Sequence, residues 1–295
     1  MTDRLILPLP GSEPFAERLA AVGGFTLGRV ERRSFPDGER YVRIHTDPAG
    51  RPVDLCSADA EGDFLTLAFA ADAARDMGAS EVNLVAPYLG YMRQDARFQP
   101  GEAVTSRTFA RLVSSLVDGL VTVDPHLHRF AALEELYDIP CTVLRSAPLI
   151  GDWIAREVRQ PLIIGPDSES EQWAAGIAAR ARAPHVVLAK RRAGDRDVEI
   201  TLPDLARHAG RQPVLVDDIA SSGRTLVAAA EALRARGFPP PLCVIVHAIF
   251  AGDAFAELSA VAAGIVSTDT LTHASNAISV TSLIAGALAT LPRPN

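Results

Sequence analysis

The stretch Pro213-Val-Leu-Val-Asp-Asp-Ile-Ala-Ser-Ser-Gly-Arg-Thr-Leu226 carries the densest chemistry in the chain. An apolar run leads into two adjacent acids, Asp217 and Asp218. Ser221, Ser222, Gly223, Arg224 and Thr225 follow and open a helical pattern. Backbone N–H groups at a helix start form an anion site, and a glycine lets the anion come close. Two carboxylates just upstream suit sugar hydroxyls. A diol at one end and a phosphate at the other describe a ribose 5-phosphate. A strand–turn–helix capped by Asp and Ser is the plainer reading, but two acids at a strand end are costly without a ligand.

Three more polar clusters follow apolar runs. The first holds the chain's one lysine, Lys190; the other 28 of its 29 basic residues (29 − 1) are arginine. In Lys190-Arg-Arg192 three cations sit side by side and repel one another. They make sense facing a polyphosphate, where transferring charge must be stabilised. A compact ammonium at position 190 is not interchangeable with a guanidinium. The second cluster is Asp124-Pro-His-Leu-His128, whose alternation puts Asp124, His126 and His128 on one side if the chain stays extended. One His binding a divalent ion that bridges phosphate oxygens is the functional reading; a turn with surface histidines is the alternative. The third is Gly165-Pro-Asp167, with Ser168 to Ser170 beginning a helix. Its carboxylate suits a hard cation or a sugar hydroxyl, or simply caps the helix.

The elements that must hold these clusters alternate. Strands are expected at Leu5–Leu9, Val53–Cys56, Val82–Ala86, Leu120–Val123, Leu162–Ile164, His185–Ala189, Val214–Val216, Leu242–Val246 and Gly264–Val266. Helices are expected at Phe64–Met77, Ser106–Val117, Ser170–Arg182 and Thr225–Arg236. In Ser106–Val117, the residues Phe109, Leu112, Val113 and Leu116 share a face. Runs rich in Val, Ile and Leu read as parallel strands buried on both faces, so the fold class is α/β. The pattern runs twice. Two similar domains are expected, 1–148 and 149–295, with a boundary around Ser146–Gln160. A final helix near 278–291 could pack back on the first domain. The tracts Arg97–Glu102 and Ala193–Asp197 read as mobile loops. In open parallel sheets ligands sit at the carboxyl ends of strands, which is where all four clusters lie.

Composition narrows the classes. A chain of 295 residues, 48% hydrophobic and 22% charged, can bury two cores. A net charge of −7 gives no basic footprint for nucleic acid. No apolar run reaches the roughly 18 residues that a membrane helix needs. Met1-Thr-Asp-Arg-Leu-Ile-Leu-Pro8 holds too short an apolar stretch for a secretory signal. Cys56, Cys141 and Cys243 are far apart and odd in number, so neither a disulfide framework nor a zinc site is expected and the cytoplasm is the default. A Walker P-loop needs Gly-Lys-Ser/Thr, whereas Lys190 precedes Arg191. No kinase His-Arg-Asp or Asp-Phe-Gly motif and no Gly-x-Gly-x-x-Gly fingerprint is present.

The order of motifs is specific. Ser34-Phe-Pro-Asp-Gly-Glu39 comes first. Pro87-Tyr-Leu-Gly-Tyr-Met-Arg-Gln-Asp95, Asp124-Pro-His126, Gly165-Pro-Asp167, Lys190-Arg-Arg192 and the sugar-phosphate loop follow. This series resembles the ribose-phosphate diphosphokinase family from about Leu5 to Leu288; type I phosphoribosyltransferases share only the last loop. The resemblance implies two type I phosphoribosyltransferase-like domains with mainly parallel sheets. It implies transfer of diphosphate from Mg-ATP to ribose 5-phosphate, with Mg²⁺ as cofactor. Phe35, Asp37 and Glu39 would meet adenine bound mainly by a neighbouring subunit, so at least a dimer is implied. Arg93, Gln94, Asp95 and Arg97 would hold ATP. His126 would ligate magnesium, with Asp167 near metal and ribose. Lys190 and Arg192 would be the catalytic cations. Asp217 and Asp218 would contact the ribose hydroxyls, and Ser221, Ser222, Gly223, Arg224 and Thr225 the 5-phosphate. The chain departs from the family at Ser168-Glu-Ser170, where many relatives carry small glycines. It also departs after Arg97, where Phe-Gln-Pro-Gly-Glu102 lacks the basic and serine residues of a bacterial regulatory site. A phosphoribosyltransferase and a non-catalytic regulatory relative are the competing readings.

Overall fold

The computed structural model describes residues 3–57, 64–167, 170–192 and 198–291, apart from the side chains of 172 and 190–199. The chain divides into two compact units, one of Met1–Leu144 with Val280–Asn295 and one of Arg145–Ser279.

The first unit begins β1 (Leu5–Pro8), α1 (Glu13–Gly23) and β2 (Thr26–Leu27). A hairpin of β3 (Val30–Ser34) and β4 (Arg40–Ile44) follows, then β5 (Pro52–Cys56), α2 (Phe64–Asp76), β6 (Glu81–Ala86), α3 (Thr105–Ser114), β7 (Gly119–Val123) and β8 (Cys141–Leu144). Its main sheet runs β2-β1-β5-β6-β7-β8, and every pairing is parallel. The second unit opens with α4 (Ala147–Glu157) and then repeats the plan. It has β9 (Pro161–Gly165), α5 (Glu171–Ala181) and β10 (His185–Val187), and a hairpin of β11 (Ala189–Arg192) and β12 (Val198–Thr201). Next come β13 (Gln212–Ala220), α6 (Arg224–Ala235), β14 (Leu242–Ala248), α7 (Ala254–Val261), β15 (Gly264–Thr268) and β16 (Asn276–Ile278). The sheet order is β10-β9-β13-β14-β15-β16, again all parallel. The last helix, α8 (Thr281–Thr290), packs on α1, β7 and β8 of the first unit.

These are two parallel α/β sheets, as the apolar runs predict. β7 is buried at all five positions, Gly119 to Val123, the burial expected of a strand covered on both faces. Most of the boundary segment Ser146–Gln160 is α4, whose Ile150 and Ile154 are fully buried. One local expectation needs correction. The stripe of α3 is Ser106, Ala110 and Val113, while Leu112 is exposed and the helix ends at Ser114.

One polar group lies deep in the first unit. Arg4 donates from Nε and Nη2 to the two carboxylate oxygens of Asp54, both at 2.7 Å, and the Asn83 amide donates to the same carboxylate at 3.2 Å. Arg4 is 2% exposed and Asp54 0%. Burial works against the Arg4 charge, yet the hydrogen bonds and charge of Asp54 hold its pKa above the ordinary value. At Gly119 a Cβ would lie 2.6 Å from the Asn83 side-chain oxygen, so only glycine fits beside this cluster. A buried pair broken on one side leaves an uncompensated charge. Arg4→Met or Asp54→Leu alone should cost about 3–5 kcal/mol in urea unfolding, and the double variant should recover most of that loss.

Candidate active site

In the second unit β9 and β13 are neighbours, and the chain moves away from them in opposite directions. β10 lies beyond β9, whereas β14 to β16 lie beyond β13. Such a reversal opens a crevice at the carboxyl ends of the two strands. Asp167 follows β9, and the acid pair with its serine–glycine loop ends β13.

β13 is longer than its apolar run. It stays paired with β14 as far as Ala220 and Ala248, but its pairing with β9 stops at Leu215 and Ile164. Asp217 and Asp218 therefore stand on a stretch of strand that has outrun its β9 neighbour. Both are half-buried, and the Asp218 amide donates to Asp217 Oδ1 at 3.1 Å. The loop then turns through Ser221, Ser222 and Gly223 into α6. Gly223 has φ 66°, a left-handed conformation that an L side chain adopts only at a cost. α6 starts at Arg224, so the loop and the helix start present successive N–H groups at one point, with Thr225 in the first turn.

A support for this loop escaped sequence reasoning. The Phe250 amide donates to the Ala220 carbonyl at 2.8 Å, and the Ala251 amide to the Ser221 carbonyl at 3.0 Å. Phe250 itself is left-handed, with φ 43°. Its ring lies 5.2 Å from that of Phe255 and 4.9 Å from that of His273, and these two meet at 4.7 Å. Burial in this cluster lowers the His273 pKa. The strained backbone after β14 thus braces the turn after β13. The Gly252 that follows Phe250 and Ala251 was the one local hint of a tight turn.

Asp167 also anchors the start of α5: its carbonyl accepts from the Ser170 hydroxyl at 2.6 Å and from the Ser170 amide at 3.2 Å. Ser168 and Glu169, two of the three residues of the departure at Ser168-Glu-Ser170, lie outside the described residues. Lys190 and Arg192 do not end the strand from His185, as the sequence predicts. That strand stops at Val187, and the amide of buried Leu188 donates a hydrogen bond to the Gly165 carbonyl at 2.9 Å. The chain then enters the β11–β12 hairpin, where Lys190 is opposite Ile200 and Arg192 opposite Val198. The side chains of Lys190 and Arg192 and the tract Ala193–Asp197 lie outside the described residues.

In the first unit, loops after β6 and β7 bring a second group together. Asp95 is 7% exposed. Arg129 donates from Nε to its Oδ1 at 3.2 Å, while Oδ2 accepts no hydrogen bond and lies 3.7 Å from His128 Nδ1. The His128 ring stacks on that of His126 at 6.3 Å and 12°. His128 had no assigned role in the sequence, and Arg129 was missed, since 34 residues separate it from Asp95. Asp124 does not continue the extended chain. It is buried with φ 37°, and its amide donates to the Leu144 carbonyl at 2.9 Å, so only the two histidines keep the expected proximity. Arg93 is exposed and Gln94 half-buried; the Gln94 carbonyl accepts from the Ser106 amide at 3.3 Å. Arg97 donates to the Glu102 carbonyl at 3.1 Å, and Glu102 accepts from the Phe98 and Gln99 amides at 2.7 and 3.1 Å. Arg97–Glu102 is thus a closed turn rather than an open loop. Phe35, Asp37 and Glu39 are all exposed at the β3–β4 tip, where the Phe35 amide bonds the Glu39 carbonyl at 2.8 Å and Asp37 caps the Glu39 amide at 3.1 Å.

Among the described residues no three His, Cys, Asp or Glu side chains gather to cage a metal ion. Burial pushes the Cys141 and Cys243 thiols up to about 12, so neither is a nucleophile at neutral pH.

Two parallel sheets of one strand order, with a two-acid serine–glycine loop at the reversal of the second, define a protein of the phosphoribosyl transferase fold. Residues 133–282 match the phosphoribosyl transferase domain, and residues 5–116 match the N-terminal domain of ribose phosphate pyrophosphokinase. The chain is 34% identical, over 97% of its length, to ribose-phosphate pyrophosphokinase of Methanopyrus kandleri, of which 99% is covered. It is 35% identical, over 95% of its length, to ribose-phosphate pyrophosphokinase 2 of Archaeoglobus fulgidus, of which 98% is covered. The crystal structure of phosphoribosylpyrophosphate synthetase from Mycobacterium smegmatis shares the fold, with a TM-score of 0.83 over 98% of each chain at 21% identity. The chain belongs to the ribose-phosphate pyrophosphokinase family.

Gly223→Val should destabilise the chain by about 1–2 kcal/mol, the penalty for a left-handed L residue. It should also weaken binding of inorganic phosphate at least about tenfold, because the loop N–H groups no longer converge. Calorimetric titration of both proteins with phosphate measures this; equal affinities would refute the loop as the anion site.

Proposed function

We propose that this chain transfers the β,γ-diphosphate of ATP to the C1 hydroxyl of ribose 5-phosphate, forming phosphoribosyl diphosphate and AMP. The single observation that carries this reading is the placement of Asp167 and the Asp217–Thr225 loop at the two strand ends that flank the sheet reversal.

Ser221, Ser222, Gly223, Arg224 and Thr225 hold the 5-phosphate on loop and helix-start N–H groups and hydroxyls. Asp217 and Asp218 accept hydrogen bonds from the ribose hydroxyls, and Asp167 lies across the crevice near the ribose and its metal. The C1 oxygen attacks the β-phosphorus. A bond forms there as the α–β bridge breaks, AMP leaves with the bridging oxygen, and the proton of the C1 hydroxyl passes to solvent. His126 would hold a Mg²⁺ ion, which when bound would neutralise charge on the triphosphate. Lys190 and Arg192 stabilise charge on the transferring group. Positioning and charge do most of the work in such a transfer. Arg93, Gln94, Asp95 and Arg97 hold ATP. Asp95 is kept in place for this by Arg129. Phe35, Asp37 and Glu39 meet the adenine of a neighbouring copy, so the working form is at least a dimer. No helix among the described residues is long and apolar enough to cross a membrane.

With Mg²⁺, ATP and ribose 5-phosphate the chain should form AMP and phosphoribosyl diphosphate in equal amounts, measured by ³¹P NMR. Lys190→Arg should keep the fold and lose at least about tenfold in turnover, the scale of one misplaced charge in phosphoryl transfer. No AMP from well-folded protein would contradict the assignment and favour a non-catalytic relative.

A further inference from the structure

The β3–β4 hairpin carries a contact that none of the roles above uses. Arg33 and Tyr41 are direct partners in the hairpin register, and Phe35 stands two residues beyond Arg33. A period of two puts 33 and 35 on one face, and cross-strand pairing sets Tyr41 against them. The contacts agree. The Arg33 guanidinium carbon lies 4.0 Å from the centre of the Tyr41 ring and 4.8 Å from that of Phe35. The two rings meet edge to face at 6.0 Å and 89°. Glu31, next on the same face, lies 3.8 Å from Arg33 Nε and is itself bonded to His45 at 2.7 Å.

The arrangement is a row of charge and rings on a two-stranded sheet that pairs with no other described strand. A hairpin this small buries little, and Phe35 keeps 38% of its surface exposed. Left alone, an exposed ring at a hairpin tip would sample several rotamers. Here one cation touches both rings and a second ring abuts the first, so Phe35 is held in one orientation before any ligand arrives. Holding a side chain in its bound orientation removes the cost of ordering it on binding. A guanidinium over an aromatic ring also draws electron density from that ring. Such a platform favours the base with the larger, more electron-rich face, because base–aromatic stacking grows with overlap.

We propose that Arg33 and Tyr41 are positioning residues that fix Phe35 as a stacking platform for a purine base, and that Arg33 biases the chain toward purine over pyrimidine nucleotides. This rests on the reading that Phe35 meets the adenine of ATP.

The test compares Arg33→Met, Tyr41→Leu and Tyr41→Phe with the wild-type chain. Steady-state rates are measured with ATP and with CTP, binding of α,β-methylene-ATP by calorimetry, and assembly by sedimentation. Arg33→Met and Tyr41→Leu should raise the KM for ATP and the Kd of the analogue about three- to fivefold, the scale of one exposed cation–ring contact. Their kcat and their KM for ribose 5-phosphate should stay unchanged. Tyr41→Phe, which keeps the ring, should match wild type, and the ATP:CTP ratio of kcat/KM should fall in Arg33→Met. Unchanged nucleotide affinity in the first two variants would overturn the proposal. So would equal damage from Tyr41→Phe and Tyr41→Leu, an unchanged ATP:CTP ratio, or a changed assembly state, which would mark the pair as a structural contact between copies. If the wild-type chain binds the analogue but makes no AMP, the transfer reading fails alone and the analogue affinities still decide this proposal. If it binds no adenine nucleotide, both fail.

Discussion

A parallel sheet buried on both faces has no room for unpaired polar groups except at the ends of its strands. In this chain the interior strands are buried along nearly their whole length, and in the first core Arg4 donates to both carboxylate oxygens of Asp54. Chemistry is therefore confined to strand ends, and the sheet order decides which ends can cooperate. In the second unit the reversal between β9 and β13 sets Asp167 beside the Asp217–Thr225 loop. β13 outruns β9 but not β14, which carries the acid pair into the crevice while one edge stays supported. The loop beyond it depends on a left-handed Gly223 and on the braced, left-handed Phe250.

The two units repeat one plan of strand, helix, strand, hairpin, then four more helix-linked or loop-linked strands. The repeat gives the two hairpins equivalent places. β3–β4 carries Phe35, Asp37 and Glu39, and β11–β12 carries Lys190 and Arg192. On the proposed function, one copy of this appendage grips a base and the other stabilises transferring charge. Each strand set is also followed by a helix that belongs to the other unit, α4 after β8 and α8 after β16. Duplication has been combined with exchange of the closing helices, so neither repeat is complete without the other's last element.

The main strands and the strand-to-helix turn at Asp217–Thr225 were legible because they depend on local composition. Val, Ile and Leu runs mark buried strands, and the order Asp-Asp, Ser-Ser, Gly marks a strand end turning into a helix. The hairpin strands Val30–Ser34 and Arg40–Ile44 were not legible, because they are charged and outside the main sheets. α4 read as a boundary because it falls where the first run of strands ends and the second begins. Contacts that join distant segments left no local trace. Arg4 and Asp54 are 50 residues apart, and Asp95 and Arg129 are 34 apart. The left-handed backbone at Asp124 had no glycine to announce it, and that at Phe250 had only Gly252 two residues on. The family resemblance named residues at both sites, but it gave neither the brace behind the loop nor the Arg129 clamp on Asp95.

The central claim is that the crevice holds ribose 5-phosphate as a nucleophile, so the bond between C1 and its oxygen survives. A transferase that uses phosphoribosyl diphosphate would break that bond instead. Ribose 5-phosphate labelled with ¹⁸O at C1 distinguishes the two when turned over with Mg-ATP and followed by isotope shifts in the ³¹P spectrum. Label retained in the bridge between C1 and the diphosphate is the predicted result. Label lost from the product, or found in the departing phosphate group, would contradict the account.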